Sequence, residues 1–489
     1  MSLFRTKPVE QSIRETDEPE HRLRRNLSAL DLTAFGIGVI VGTGIFVLTG
    51  QQAALNAGPA IVISFVVAGT VCALAAMCYA EFASTVPVAG SAYTFSYATL
   101  GEFIAWIIGW DLCLELALGA SVVSRGWSAY FQRLLHLPTW LAGDKAIPDW
   151  GAIFIVVVLG VVMVVGMKVS SRLTNILVAV KLAVILFVIG LGLFFIRSAN
   201  YTPFIPSAQS APRTSGGNQP LVQLIAGVTP QHFGWFGILA AAAIVFFAYI
   251  GFDVVATTAE ETRNPQRDMP RGIIGSLAIC ALLYVLTSAV VTGMTKYTNL
   301  NTGAPLARAF DQVGQGWAAN VISLGAICGI TTVILVLMLG QTRVFFAMAR
   351  DGLLPQAVAR VHPRFGTPWV ITIITCAVVA ALAGFIPLSE LSELTSIGTL
   401  FAFVVVSIGV IVLRRTRPDL PRSFRAPGVP WLPAVSVAAS IWLMFNLPVQ
   451  TWIRFVVWMI VGLGVYFLYG RRHSRLQRST TAEAQPAVR

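Results

Sequence analysis

The chain has 489 residues, of which 56% are hydrophobic and only 11% charged, with a mean hydropathy of +0.75. A soluble chain carries roughly 25% charged residues, so this composition excludes an ordinary soluble domain and points to a helical membrane protein. The net charge of +12 would suit nucleic acid, but the basic residues gather in short loops and tails on alternate sides of the apolar segments. That is the pattern of the positive-inside rule, and it excludes the nucleic-acid reading.

In chain order, residues 1–30 are polar and charged, with no short apolar run before a small-residue cleavage site; they read as a tail, not a signal. Twelve apolar spans follow, at roughly 31–55, 60–84, 98–124, 151–169, 174–196, 236–259, 272–294, 317–345, 368–387, 393–413, 430–447 and 452–470. Between spans 3 and 4, Trp140 and Trp150 suit interfacial anchors. Residues 197–235 are rich in Pro, Ser, Gly and Gln and read as a long extracellular loop. The run from about Ser474 onward is polar and is expected to be disordered. An even span count puts both tails on one side. That side holds 25 of the 34 Lys and Arg residues, so both termini are expected to be cytoplasmic.

Spans 1 and 6 are interrupted by helix breakers. Span 1 contains Gly36, Gly38, Gly42 and Gly44, and span 6 contains Phe246-Phe-Ala-Tyr-Ile-Gly-Phe-Asp253. Broken helices are tolerated in lipid only where they line a cavity or are buried in protein. Matched breaks in two halves are a pointer to a transporter binding site. Five spans is an odd number, so residues 31–196 and 236–414 form two repeats of opposite orientation. Residues 415–470 then supply spans 11 and 12 with their preceding loop, and 471–489 the C-terminal tail.

The break at Gly42-Thr43-Gly44 frees backbone N–H groups at the positive end of a half-helix dipole, which suits a carboxylate. Thr43 adds a hydroxyl. Carbonyls freed near Ile40, and those of Phe247, Ala248 and Ile250 around the Gly251 break, suit an ammonium. Together the two breaks fit both ends of an α-amino acid zwitterion. Close packing through Gly38-x-x-x-Gly42 is the alternative use of these glycines. Phe247 and Tyr249 are candidates to cover a pocket. Asp253 reads as a local latch that stabilises the span 6 break.

Glu115 is the main acidic candidate within the membrane, whether as pocket lining, a contact to a basic side chain, or a satisfied buried glutamate. Asp111 and Glu102 are expected nearer the interface. Lys181 is the lone basic residue well inside a span, roughly 10 Å from the start of span 5. An ammonium there has to find carbonyls, a partner or a cavity, unless it snorkels to the interface. Thr331 and Thr332 offer hydroxyls in span 8, unless they bond back to their own helix. Six cysteines lie in or beside apolar segments and five histidines in loops or tails. Neither set forms a metal-binding pattern, and no nucleophile–base set or nucleotide loop appears, so an enzyme is not expected.

These features resemble the amino acid–polyamine–organocation superfamily, and within it the bacterial members of the cationic amino acid transporter branch. The carrying stretches are residues 36–50, Tyr79-Ala-Glu-Phe-Ala-Ser-Thr-Val-Pro-Val-Ala-Gly-Ser-Ala-Tyr93, Gly109-Trp-Asp-Leu112, residues 246–253, Glu260-Glu-Thr-Arg-Asn-Pro-Gln-Arg-Asp-Met-Pro270 and Gly340-Gln-Thr-Arg-Val-Phe-Phe-Ala-Met-Ala-Arg-Asp-Gly-Leu-Leu-Pro355. The resemblance implies an all-α integral membrane protein of the LeuT type. Its two five-span inverted repeats work by alternating access, and two further spans follow them. It implies that Gly42, Thr43 and Gly44 hold the substrate carboxylate, and that Ile40, Phe247, Ala248 and Ile250 hold its amine. It places Lys181 in the space that sodium fills in sodium-coupled relatives, near span 1 and the Thr331–Thr332 region. The expected function is proton symport of L-amino acids across the cytoplasmic membrane, with protons as coupling ion and no other cofactor or metal. Spans 3, 6, 8 and 10, including Glu115, Phe247 and residues 335–338, are expected to set selectivity. Because no acidic cluster beyond Glu115 awaits a cationic side chain, small neutral amino acids are expected as well. The rivals are a cationic amino acid uniporter or exchanger and a non-transporting sensor. The expected partners are the amino acid and the bilayer; a small membrane subunit is left open.

Overall fold

The computed structural model describes residues 27–86, 91–166, 171–210 and 218–474. Most of both tails, the final polar run beyond Ser474 included, and part of the 197–235 loop lie outside the described residues, as does the Pro87–Gly90 portion of the second quoted motif. Helices dominate. The principal ones are α1 (Ala29–Ile40), α2 (Ile61–Thr85), α3 (Glu102–Leu135), α4 (Trp150–Val165), α5 (Ser171–Gly192), α6 (Gly234–Val245), α7 (Pro265–Met294), α8 (Gly316–Arg350), α9 (Trp369–Phe385), α10 (Leu388–Thr416), α11 (Trp431–Phe445) and α12 (Val449–Val465). Eight helical stretches among the described residues are long and apolar enough to cross a bilayer; α1, α4, α9 and α11 are apolar but shorter. The protein is a multi-pass membrane protein. The one sheet among the described residues is the two-stranded pair of β1 (Gln209–Ser210) and β2 (Gln231–His232).

Local chemistry sets the helix ends. Ser28 caps α1 in a reciprocal box with Asp31, whose carboxylate accepts the Ser28 N–H at 2.9 Å. Asp149 caps α4 by accepting the Ala152 N–H at 3.1 Å, and Gly166 ends that helix in the left-handed region. Pro265 opens α7 at the position where its missing N–H costs nothing. The third span was expected from about residue 98. Instead Ser91–Thr99 is a separate short helix and Gly101, at φ 96°, turns the chain before α3 begins.

Burial follows the composition. α3 packs on α8 and α10, α7 packs on α1 and α2, and α9 packs on α4. The outer faces of α4, α9 and α12 leave Phe154, Ile373, Ile453 and Ile460 exposed, as a lipid-facing helix permits because all its backbone groups are paired within the helix.

The two interrupted segments lie antiparallel. The Leu27 N–H donates to the Glu261 carbonyl and the Arg263 N–H to the Leu27 carbonyl, both at 3.0 Å. At the opposite end the Phe233 N–H donates to the Asn56 carbonyl at 3.0 Å. In the first segment α1 stops at Ile40, Val41 is extended, and a π-helical turn resumes at Gly44–Leu48. In the second, α6 passes into a 3-10 turn at Phe246–Tyr249. Ile250 is then extended, Gly251 takes φ 123°, and a short helix restarts at Phe252–Val255. Only glycine adopts that φ without strain. Asp253 Oδ1 accepts the Gly251 N–H at 3.1 Å, closing the break as a latch.

Candidate functional site

The two breaks touch each other. A Cβ on Gly44 would collide with the Cα of Ala248, and one on Gly251 would stand 2.8 Å from a methyl of Val39. Between the breaks and the α3–α8 wall lies a cavity of about 20 Å³. Ile40, Gly42, Thr43, Gly44, Phe247 and Ile250 line it from the breaks. Glu115, Leu116, Gly119 and Val123 line it from α3, and Val333 and Leu337 from α8. A water needs about 10–15 Å³, so the cavity has room for a single water and its walls must part to admit anything larger.

The sequence-derived residues fall into three groups. The first comprises those on the cavity, where backbone from both breaks meets Glu115. Thr43 is fully buried, and its hydroxyl donates to the Val123 carbonyl of α3 at 3.3 Å. Gly126 makes room for this approach, since a Cβ there would overlap the Thr43 side chain. Glu115 is 2% exposed, and neither of its carboxyl oxygens has a hydrogen-bond partner among the described residues. Asp111, one helical turn earlier, is fully buried beside Gly398 of α10, and its oxygens also lack partners among the described residues.

The second group surrounds Lys181, which is fully buried and does not snorkel. Its ammonium Nζ donates to the Gly38 carbonyl at 2.6 Å, the Val41 carbonyl at 3.3 Å and the Thr332 hydroxyl at 3.0 Å. The Thr332 hydroxyl in turn donates to Gly329 of its own helix at 2.8 Å, which leaves its lone pairs toward the lysine. Gly38 and Gly329 let α5 come close: a Cβ on either would crowd Val178 or Lys181 itself. One ammonium therefore holds the end of α1, at its break, against α8. Thr331 belongs elsewhere. It accepts from the Trp127 indole at 3.0 Å and donates to the Ile327 carbonyl at 2.7 Å.

The third group lies away from the cavity lining. The Tyr249 hydroxyl donates to the Phe65 carbonyl of α2 at 2.8 Å, so this ring packs behind the break and does not cover the cavity. The Ala248 carbonyl is likewise turned away from the lining, toward Tyr284 of α7. The Tyr284 hydroxyl stands 2.8 Å from both the Ile40 and the Ala248 carbonyls, one from each break. Sequence reasoning missed this tyrosine. Its available signal was a lone hydroxyl-bearing ring in an apolar run, which finds a polar partner when buried. Its single proton satisfies one carbonyl at a time, so the other retains acceptor capacity.

The chain matches the amino acid permease family over residues 27–466. It is 46% identical to the methylthioribose transporter of Bacillus subtilis (strain 168), over 98% of this chain and 100% of the relative. It is 45% identical to the branched-chain amino acid permease BcaP of the same organism, over 98% and 99%. It is also 31% identical to cationic amino acid transporter 4, vacuolar, of Arabidopsis thaliana, over 100% and 98%.

Proposed function

The chain belongs to the amino acid permease family, and from that premise we propose that it carries neutral aliphatic L-amino acids into the cell by proton symport. The observation that carries this reading is the Lys181 ammonium bonded to two carbonyls at the α1 break and to Thr332 of α8. A monovalent cation would bind such an oxygen set in the same way, but this cation can leave by losing a proton. In the protonated form Lys181 ties the broken segment to α5 and α8. Deprotonation removes the charge from all three hydrogen bonds and loosens the contact. The broken pair, strapped together at both ends, then tilts against the α3–α8 wall to change access.

Substrate binds between the breaks. The N–H groups at Thr43 and Gly44 open the π-helical turn and face a carboxylate; carbonyls of Ile40, Phe247 and Ile250, residues on the cavity, are the ammonium acceptors, the first of them shared with Tyr284. The water-sized cavity is then a closed geometry, reached by parting the walls on one side. We assign the twelve helices to twelve spans in the LeuT-type arrangement of two inverted repeats plus two, with both termini cytoplasmic. The supporting facts are the antiparallel broken segments and the basic residues gathered on one side. The name of the branched-chain relative and the aliphatic α3–α8 wall favour leucine, isoleucine, valine and alanine as substrates.

A second reading, uniport or exchange of cationic amino acids, is favoured by one observation: the unpartnered Glu115 carboxyl on the cavity. Purified protein in liposomes decides between them. Proton symport predicts that leucine accumulates when the outside is made acid and that collapsing the gradient stops it. Arginine uptake insensitive to the gradient would support the second reading, and intact binding without flux would support a sensor. Methylthioribose belongs in the panel as the substrate named for a relative.

A further inference from the structure

Three side chains on one side of the cavity share a feature that packing does not explain. Both carboxyl oxygens of Asp111, both of Glu115 and Oε1 of Gln341 are buried without a hydrogen-bond partner among the described residues, where other such atoms come one to a residue. A buried polar atom left unpaired is costly, and native chains carry few. The placement of these three is regular. α3 and α8 run antiparallel: Arg133 meets Ser323 at one end, and Gly109 faces Met348 at the other. Glu115 and Leu337 line the cavity. Asp111 lies four residues before Glu115 and Gln341 four residues after Leu337, so each continues the same helix face by one turn, toward the end that holds Gly109 and Met348. Gly398 of α10 closes the third side, where a Cβ would stand 3.0 Å from Asp111 Oδ1 and 3.9 Å from Glu115 Cβ. Gln341 Nε2 donates to the Cys113 carbonyl of α3 at 3.3 Å.

We infer that Asp111 and Gln341 are the polar lining of the cytoplasmic exit from the cavity, a seam between α3, α8 and α10 through which water enters and the substrate leaves. This deepens the proposed function and rests on it, in particular on cytoplasmic termini, which put the start of α3 inside. When the seam is closed, its carboxyl and amide oxygens have no partner. When it is open, water satisfies them. The unpaired atoms therefore raise the closed state relative to the open one, a sacrifice of stability for movement. Replacing them by apolar groups of the same shape should stabilise the closed fold and slow opening. Removing a hydrogen bond that merely held the fold together would do the reverse. Cys113, on α3 between Asp111 and Glu115, is a native reporter in the seam. It is 4% exposed, and its Sγ lies 3.9 Å from Met348 Sδ.

The test uses the full-length protein in membrane vesicles of defined sidedness and in liposomes. A membrane-impermeant methanethiosulfonate is added from one face at a time, and its attachment to Cys113 is followed by peptide mass spectrometry. The parent is expected to react from the cytoplasmic face and not from the outer one. Asp111→Leu sets methyls where the carboxyl oxygens were. It is expected to slow both that reaction and leucine uptake about tenfold, while raising the melting temperature by about 2 °C. Asp111→Asn, which water can still satisfy, is expected to react and transport like the parent. Gln341→Met carries the same expectation for labelling and uptake as Asp111→Leu, and decides the matter if that variant does not fold. A parent that reacts from the cytoplasmic face without taking up leucine would contradict the proposed function and leave the seam standing. A parent Cys113 that does not react from the cytoplasmic face would overturn the inference. So would a folded Asp111→Leu protein that reacts as fast as the parent or melts at a lower temperature.

Discussion

Tyr284 shows how much of the site rests on one hydroxyl. It bridges Ile40 and Ala248, the carbonyls that end one half of each broken segment. Tyr284→Phe keeps the ring against Phe65 and Tyr249 but removes the bridge. The net worth of one such bond is about 1 kcal/mol, so we expect KM for leucine to rise about fivefold with a smaller change in kcat, read from initial uptake rates. Gly44→Val is more severe. The sequence alone suggests that this substitution removes binding and spares the fold. The contact between Gly44 and the Ala248 backbone implies that the breaks are forced apart, so we expect lost binding together with a fall in melting temperature; overpacking typically costs about 1–3 kcal/mol. Residue roles were partly legible in the sequence. Lys181 stood out because an ammonium inside an apolar span needs partners. Tyr284 did not, because a buried tyrosine does not declare its neighbours. Thr331 and Thr332 could not be told apart until the helix phase turned one toward α3 and the other toward Lys181.

At the scale of elements, the broken segments act as a strapped pair. Their ends join through Leu27 with Glu261 and Arg263, and through Asn56 with Phe233, and their middles join through Gly44 and Gly251. The breaks themselves were readable from glycine spacing, and Asp253 was readable as a latch. The pairing of the segments was not, because a backbone bond between residues far apart in the chain, such as Leu27 and Glu261, leaves no local pattern. A second staple ties α2 to the end of α10. Glu81 is 1% exposed and accepts Arg414 at 2.8 and 2.7 Å and the Ala426 N–H at 2.8 Å. Glu81→Ala would leave that N–H, the partly exposed Arg414 guanidinium and the nearly buried Arg422 guanidinium, 3.6 Å away, without their carboxylate. Breaking a fully buried pair costs about 3–5 kcal/mol; Arg414 reaches solvent but Arg422 hardly does, so we expect the low end, about 3 kcal/mol, seen as a lower melting temperature in detergent.

For the whole molecule, the apolar composition follows directly from the bilayer, which is why the helical membrane class was legible at once. The helix boundary near Gly101 and the inward facing of Asp111 were not, because hydropathy does not report where one helix turns into the next or which face looks inward. The central claim is that Lys181 carries the coupling proton. The direct measurement is steady-state accumulation of labelled leucine in liposomes with the outside acid, for the parent and for Lys181→Ala, with sodium present and absent. The account predicts that the parent concentrates leucine without sodium. It also predicts that Lys181→Ala does not concentrate leucine in either medium, while binding, read by thermal shift with leucine, is judged separately. A Lys181→Ala protein that concentrates leucine under the proton gradient as the parent does would contradict it.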